Sequence, residues 1–288
     1  MAESRAEEAL ARILSGERLD RREPKRAYNG AFGVPIREEV LHRQGEEVIT
    51  RNSYGAHCLN TPRALFADVD LSHPDGGRLA WRIFGFSCLL AGLLAWYTRS
   101  WGMALGLVVL SALAASRVAS TVLRISGATK QDPGQIARTR ISEFLAQHPE
   151  WNLRIYKTPS GYRLLASHRP FDPSDPEVQE FFSAVGADPV YVRMCLNQHC
   201  FRARLTAKPW RIGIPTHMRP RPGVWPVAAE RMSARTQWVA GYERAASSFA
   251  ACHYLESQGS GIVHESLRGV IELHDSESRA LQPELEIA

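Results

Sequence analysis

Two aspartates, Asp68 and Asp70, are the residues best placed for chemistry, in the apolar segment Leu65-Phe-Ala-Asp-Val-Asp-Leu71. The composition of this segment and the turn-forming residues on both sides of it predict a strand. Side chains two positions apart project from the same face of a strand, so both carboxylates point the same way. Paired carboxylates repel each other, and a divalent cation relieves that repulsion. The pair therefore predicts a Mg²⁺ site for phosphoryl transfer, and the alternative is a solvent-facing pair at the end of a half-buried strand.

A second candidate segment is Tyr156-Lys-Thr-Pro-Ser-Gly-Tyr-Arg163, in which a Pro-Ser-Gly turn joins two predicted strands. Lys157, Arg163 and the backbone amides beside the glycine would bind phosphate groups, and solvent exposure on the hairpin explains the basic residues equally well. His168 follows in the sequence, and three interpretations are open: a ligand, a proton carrier, or simply a histidine at the end of a strand. The candidate catalytic residues are Asp68, Asp70, Arg163 and His168.

A third segment, residues 192–211, interleaves basic and aromatic residues. Arg202 and Arg204 share one face of a predicted strand, and Lys208 follows it. Such a surface suits phosphate contacts and base stacking in nucleic-acid binding, contact with anionic lipid, or plain solvation. The candidate phosphate-binding residues are Lys157, Arg163, Arg202, Arg204 and Lys208.

Two of these segments bear a family resemblance. Phe66-Ala-Asp-Val-Asp-Leu71 resembles the first motif of archaeo-eukaryotic primases and primase-polymerases, and the segment from Tyr156 to Arg163 resembles their second motif. In that family the Ser-Gly turn leads to a histidine that contacts the nucleotide, and here Arg163 stands near that position. The third motif is an acidic residue after a late strand, which Glu272 or Asp275 would supply.

The resemblance implies a primase-like nucleotidyltransferase acting on a nucleotide or nucleic acid, with Mg²⁺ held by Asp68, Asp70, Glu272 and Asp275. The chain as a whole resembles a group of bacterial two-span membrane proteins, which implies a membrane location and no particular activity. Two functional hypotheses therefore stay open. One is this metal-dependent enzyme, and the other is a non-catalytic, membrane-associated binding or scaffold protein for an anionic ligand or lipid headgroups.

Two uncharged apolar stretches, Ile83–Tyr97 and Trp101–Ala115, follow the first candidate site. Each reaches about 22 Å as a helix, so flanking residues must help to cross a hydrocarbon core of about 30 Å. Tryptophan and tyrosine residues mark the ends, and basic residues cluster on the outer flanks. The positive-inside rule then predicts two spans in the inner (cytoplasmic) membrane, with both termini cytoplasmic and the lipid bilayer as a partner. The alternative is a buried helical hairpin in a soluble core.

Length and composition limit the remaining possibilities. The chain has 288 residues, a formal net charge of +5 and five scattered cysteines, which suits one domain plus the hairpin, an anionic partner and reduced thiols. Elements on both sides of the hairpin predict an α+β fold, with one mixed-sheet domain interrupted by a two-helix transmembrane hairpin. The predicted divisions are an N-terminal helix and extended arm (1–60), the first part of the α+β domain (61–78), the transmembrane hairpin (79–123), the main part of the α+β domain (130–275) and a polar tail (276–288).

Periodicity also predicts single elements. Helices are expected at residues 4–14, 136–147 and 175–185, and one or two more within 228–257. A loop or extended arm is expected over 15–45. Strands are expected at 65–71, 151–157, 162–168, 190–194, 201–205 and 269–273.

Overall fold

The computed structural model describes residues 14–15, 37–71, 76–125 and 132–288. Its strands, in chain order, are β1 (Glu39–Gln44), β2 (Glu47–Arg51), β3 (His57–Thr61), β4 (Phe66–Asp70), β5 (Asn152–Thr158), β6 (Gly161–Ala166), β7 (Phe201–Arg204), β8 (Phe249–Ala250), β9 (His253–Gly259) and β10 (Glu286–Ile287). One antiparallel sheet has the order β1-β2-β3-β7, and a second has the order β4-β6-β5-β9. Strands β8 and β10 form a short parallel pair. The α+β class is confirmed, whereas a single mixed sheet is wrong.

The helices are α1 (Gly76–Thr98), α2 (Trp101–Ile125), α3 (Pro133–Gln147), α4 (Pro176–Val185), α5 (Pro189–Gln198), α6 (Met232–Ala246) and α7 (Glu265–Ser278). Short 3-10 turns span Pro209–Arg211 and Ala229–Arg231. Helices α1 and α2 lie between β4 and α3 in the chain, and β4 nevertheless pairs with β6. The sheet is therefore assembled from residues on both sides of the helical hairpin.

The larger of two hydrophobic clusters among the described residues joins the two sheets and the helices that pack on them. Leu59 and Phe66, from before the hairpin, are buried in the same cluster as Ile141 and Phe201, from after it. Trp151 is fully buried there, with its ring 4.8 Å from Phe144 and 4.9 Å from Phe181. Burial of large aromatic side chains is the main source of stabilisation for such a domain.

Helices α1 and α2 pack along each other. Small residues Ala91 and Ala95 are buried, whereas large apolar side chains such as Leu89 and Leu110 are exposed. The segment Ala80–Thr98 is long and apolar enough to cross a membrane, and only 11% of its most apolar window is buried within the protein. The apolar run described in α2, Leu105–Val118, is shorter than a span. The structure thus contains one candidate membrane helix among its described residues.

Several predicted elements are confirmed: the strand at 65–71, the helices at 136–147 and 175–185, the hairpin of β5 and β6, and β7. Two predictions are wrong. Residues 39–44 are a paired strand and not part of a loop or extended arm, and residues 269–273 lie within α7. The helix predicted within 228–257 is present as α6, but the end of that range lies in the strand β9 and is not helical. The predicted helix at 4–14 lies outside the described residues except at Leu14.

The predicted strand at 190–194 is also wrong, because these residues belong to α5. The Asp188 carboxylate accepts hydrogen bonds from the N–H groups of Val190 and Tyr191, and Pro189 occupies the first turn. A capping aspartate followed by proline is a strong helix start. It outweighs the strand preference of the valine and tyrosine residues that follow.

Candidate functional site

The two aspartates of β4 have different surroundings. Asp68 lies directly opposite Arg163 in the antiparallel pair of β4 and β6. The Arg163 Nε donates to Asp68 Oδ1 at 2.9 Å, and Nη2 donates to Oδ2 at 3.3 Å. Arg163 is only 2% exposed, while 31% of the Asp68 side chain is exposed. A two-pronged ion pair of this kind fixes both side chains.

The third nitrogen of Arg163 is also engaged. Its Nη1 donates to the backbone carbonyl of Arg204 at 2.7 Å and lies 3.4 Å from His274 Nε2. Burial alone lowers the pKa of the guanidinium, but the Asp68 carboxylate raises it overall. Arg163 thus binds the protein's own groups, and both oxygens of Asp68 already have a cationic partner.

Asp70 lies at the exposed end of β4 among charges of both signs. Burial, followed by the nearby carboxylates of Asp188 and Asp68, raises its pKa, while Lys208 and Arg211 act in the opposite direction. The predicted same-face placement therefore brings Asp70 and Asp68 close enough to interact. The charges of Lys208 and Arg211 both act on Asp70, and Lys208 also interacts with Asp68.

Next to Asp70 lies a basic corner, which we define as Ser160, Lys208, Trp210 and Arg211. The Arg211 Nη2 donates to Ser160 Oγ at 2.7 Å. The Lys208 Nζ lies 5.6 Å from the centre of the Trp210 ring, which is 57% exposed. Trp210 also meets Tyr54 edge-on, with 5.3 Å between ring centres.

Electrostatics make the basic corner receptive to an anion. Burial, and then the charges of Arg204 and Arg211, lower the pKa of Lys208. Burial and the charge of Arg204 also lower the pKa of Arg211. Positive charges crowded at a partly buried position favour a bound anion, because it relieves their mutual repulsion.

Two local features hold the basic corner against β4. The 3-10 turn Pro209–Arg211 places Lys208 and Arg211 close together. The turn between β5 and β6 is held to the end of β4 by a hydrogen bond from the Leu71 N–H to the Ser160 carbonyl at 2.8 Å. Gly161 permits this approach, since a Cβ there would overlap the carbonyl oxygen of Val69.

The two acids predicted as the third motif lie on α7 and not after a strand. Asp275 accepts hydrogen bonds from Arg154 and Tyr156, the latter at 2.8 Å. Hydrogen bonds and charge from His274, Tyr156 and Arg154 outweigh burial and lower the pKa of Asp275. Glu272 is exposed. Within the described part of the chain, no group of three or more His, Cys, Asp or Glu residues comes together to hold a metal ion.

The predicted phosphate-binding arginines of β7 face inward. Arg202 Nη2 donates to both carboxylate oxygens of Glu38, at 2.9 and 2.6 Å, and both side chains are buried. Arg204 Nη1 donates to the backbone carbonyls of Thr206 and Ala288. Of the predicted set, Lys208 lies in the basic corner. Lys157 lies at the end of β5, next to the turn that contains Ser160, with its Nζ 5.1 Å from the centre of the Tyr162 ring.

His168 lies in the core beyond the end of β6. Its ring centre is 4.7 Å from that of Trp151, and its Nδ1 accepts the Asn152 N–H at 3.4 Å. Burial, followed by the charge of Arg169, lowers its pKa to about 4. These contacts describe a neutral core histidine, and they do not place it with the aspartates of β4.

No family model, curated protein or solved structure matches this chain. Function must therefore be inferred from the side chains themselves. The sequence indicates Arg211 as one of the interleaved basic residues suited to phosphate contacts, although it is not in the predicted phosphate-binding set. Its contact with Ser160 could not be predicted from the sequence.

A second arrangement missed from the sequence joins Cys252, His274 and Asp275. The His274 Nε2 lies 4.0 Å from Cys252 Sγ, and its Nδ1 lies 3.0 Å from Asp275 Oδ1. Burial raises the pKa of the thiol, but His274 and Arg163 lower it overall. A histidine beside a cysteine can act as the base that activates a nucleophilic thiol. Here both Cys252 and His274 are fully buried, so the three side chains are part of the core in this conformation.

Proposed function

We propose that this protein is a membrane-anchored, non-catalytic binding protein. Its helical hairpin lies in the bilayer, and its α+β domain binds an anionic ligand at the basic corner. The observation that carries the proposal is the contrast between the two aspartates: both oxygens of Asp68 accept hydrogen bonds from Arg163, while Lys208 and Arg211 lie beside Asp70.

The anchor rests on exposure and length. Many of the described large apolar side chains of α1 and α2, such as Leu89 and Leu110, are exposed on the outside of the protein, where contact with water is unfavourable and contact with lipid is favourable. With 25 residues, α2 extends about 37 Å, which exceeds the hydrocarbon core. We therefore propose α2 as the second span and both ends of the hairpin on the cytoplasmic side of the inner membrane.

The ligand is proposed to be anionic because Lys208 and Arg211 are positively charged donors whose described contacts are with uncharged groups. Arg211 keeps one hydrogen bond to a neutral hydroxyl, that of Ser160. Lys208 rests over an aromatic ring. A phosphate or carboxylate group would accept charge-assisted hydrogen bonds from both side chains.

A binding role is preferred to a primase-like nucleotidyltransferase because of Asp68. Each oxygen of this carboxylate already accepts a hydrogen bond from a buried arginine, so Mg²⁺ would compete with Arg163 for the same negative charge. Breaking a buried ion pair costs roughly 3–5 kcal/mol. The nucleotidyltransferase interpretation, with Mg²⁺ and a nucleotide, remains the competing prediction.

Carbonate extraction of membranes tests the anchor. The full-length protein should stay in the membrane pellet, and a variant lacking residues 83–115 should move to the soluble fraction. Release of the full-length protein by carbonate would refute the anchor.

Calorimetric titration of the detergent-solubilised protein with inorganic pyrophosphate tests the site. Lys208→Gln and Arg211→Gln should each weaken binding about tenfold, because each removes a charged donor. Asp70→Asn should strengthen binding, since it removes a repelling carboxylate. Arg268→Gln is the matched control: Arg268 is exposed on α7, which begins beside Ser167, at the other end of β6 from the basic corner.

The same titration with ATP, with and without Mg²⁺, separates the two functions. Binding that needs Mg²⁺ and disappears in the Asp68→Ala, Asp70→Ala double variant would favour the enzyme and overturn the binding proposal. Pyrophosphate binding that Lys208→Gln and Arg211→Gln leave unchanged would also overturn it.

A further inference from the structure

The chain enters the helical hairpin from the end of the second sheet that carries the basic corner. The last described residue before α1 is Leu71, whose N–H binds the Ser160 carbonyl. Five residue steps separate Leu71 from Gly76, the first residue of α1, and they span at most about 18 Å when fully extended. The start of α1 therefore lies within about 18 Å of Leu71, which is hydrogen-bonded to Ser160 of the basic corner.

The chain returns from the hairpin to the same end of the sheet. Helix α3 begins after Asp132, which caps it through the Gly134 N–H at 3.1 Å. A Cβ on Gly134 would lie 3.5 Å from the Tyr162 hydroxyl, and Tyr162 pairs with Val69 across β6 and β4. Both connections to the hairpin thus attach near the turn between β5 and β6.

This end of the domain combines basic groups with an exposed aromatic ring. Lys157 and Arg138 lie over the ring of Tyr162, at 5.1 and 5.3 Å from its centre. The Arg138 Nη1 donates to Glu256 at 2.9 Å, which offsets its charge. Trp210 is 57% exposed, although neighbouring Pro209 is buried.

We propose that the basic corner, together with Lys157, is a docking surface for the anionic phospholipid leaflet in which the hairpin is anchored. The proposal rests on the proposed function, since it needs the hairpin in the bilayer, and it names the ligand of the same site. Lys208 and Arg211 bind lipid phosphates, and Trp210 enters the headgroup layer. The two short connections hold this end of the domain at the membrane surface.

The chemistry of the surface fits lipid headgroups. Tryptophan is favoured in the headgroup layer because its ring has an apolar body and a polar N–H. Basic side chains are drawn to anionic lipids, and each adds roughly fivefold to the binding equilibrium near the surface. Asp70 and Asp188 oppose this attraction, so docking depends on Lys208 and Arg211 together.

Hydrogen–deuterium exchange of the full-length protein in lipid nanodiscs tests the proposal. We expect residues 206–216 and 157–161 to exchange more slowly in discs with 30% phosphatidylglycerol than in discs of phosphatidylcholine alone. Residues 265–278, in α7, are the internal control and should exchange equally in both. The Lys208→Gln, Arg211→Gln double variant should lower docking roughly 25-fold and remove the difference between lipids, and Arg268→Gln should retain it.

Three outcomes would overturn the docking proposal, and each is distinct from failure of the proposed function. Equal exchange in both lipids, while pyrophosphate still binds, would show that the corner binds a soluble anion and not the leaflet. Protection by a single-stranded oligonucleotide in phosphatidylcholine discs, with no effect of phosphatidylglycerol, would assign the surface to nucleic acid. Lipid-dependent protection that survives in the double variant would place the docking surface elsewhere. Release of the full-length protein from membranes by carbonate would instead refute the membrane anchor.

Discussion

Arg163 donates to both carboxylate oxygens of Asp68, its directly opposite neighbour across β4 and β6. The pair converts a residue that the sequence marks as a metal ligand into part of the internal structure. Asp68 and Asp70 still share one face of the same strand and interact through their charges. We prefer a binding protein to a magnesium-dependent enzyme because of the contact between Arg163 and Asp68.

The first prediction concerns the stability of this pair. Arg163→Met should destabilise the protein by about 3 kcal/mol, because it leaves the Asp68 carboxylate without its buried partner. Adding Asp68→Asn should recover much of the loss. Urea unfolding of the detergent-solubilised protein, followed by near-ultraviolet circular dichroism, measures both changes.

Arg63→Met is the matched control for that experiment. Arg63 forms an ion pair with Glu46 in which both side chains are 56% exposed, so its loss should cost less than about 1 kcal/mol. A similar cost for Arg63→Met and Arg163→Met would show that burial gives the internal pair no special weight.

A second prediction concerns Arg202, which sequence analysis assigned to phosphate binding. Its contacts with Glu38 predict that Arg202→Ala acts on stability and not on ligand affinity. We expect a loss of about 3–5 kcal/mol, since the buried Glu38 loses its ion-pair partner. Pyrophosphate titration of the remaining folded protein should give the parent affinity, and a weakened affinity would restore Arg202 to the binding site.

Part of this arrangement could be predicted from the sequence. The apolar pattern around Asp68 and Asp70 predicts β4, and it also predicts that the two side chains lie on one face, because the alternation of side chains along a strand is a local property. The Pro-Ser-Gly turn gave the hairpin of β5 and β6 for the same reason. Helix α7 could not be predicted from residues 269–273 alone, because a short apolar run is compatible with a strand or a helix. Over the longer window Leu267, Val270, Ile271 and His274 are buried at helical spacing.

The partners of the charged residues could not be predicted. Arg163 and Asp68 are 95 positions apart in the chain, and Arg202 and Glu38 are 164 positions apart. Which arginine meets which carboxylate depends on the register of paired strands and on how the segments before and after the hairpin pack. No local pattern contains that information, so internal ion pairs and ligand-binding arginines look alike in the sequence.

A third prediction concerns two glycines with different surroundings. Gly161→Ala should destabilise the protein by about 3 kcal/mol, because its Cβ would overlap the Val69 carbonyl oxygen between β6 and β4. Gly241→Ala, in α6, should stabilise it by about 0.5–1 kcal/mol, because nothing lies within 4 Å of the new Cβ and alanine favours the helix.

Thermal unfolding of the two variants beside the parent provides the measurement. Gly161→Ala should also weaken pyrophosphate binding, since it displaces Ser160 from the basic corner, whereas Gly241→Ala should leave binding unchanged. If Gly161→Ala proved as stable as the parent, the close approach between β4 and the turn would be wrong.

The fourth prediction is a pH dependence that arises from His168. Its pKa is about 4 in the folded protein, against about 6.5 in an unfolded chain. Between these values the unfolded chain binds a proton that the folded protein does not, so stability falls as the pH is lowered from 6.5 to 4. The full loss is about 3 kcal/mol by pH 4.

His168→Asn isolates this contribution from those of the carboxylates, which also lose stability in acid. The asparagine oxygen can still accept the Asn152 N–H, but it does not titrate. The variant should be less stable than the parent at neutral pH, because it loses the ring packed on Trp151. Its free energy of unfolding should nevertheless fall less steeply between pH 6.5 and 4, and urea unfolding at several pH values measures the difference. Parallel curves for the two proteins would mean that His168 keeps an ordinary pKa, and therefore that it is not the neutral core residue inferred from its contacts.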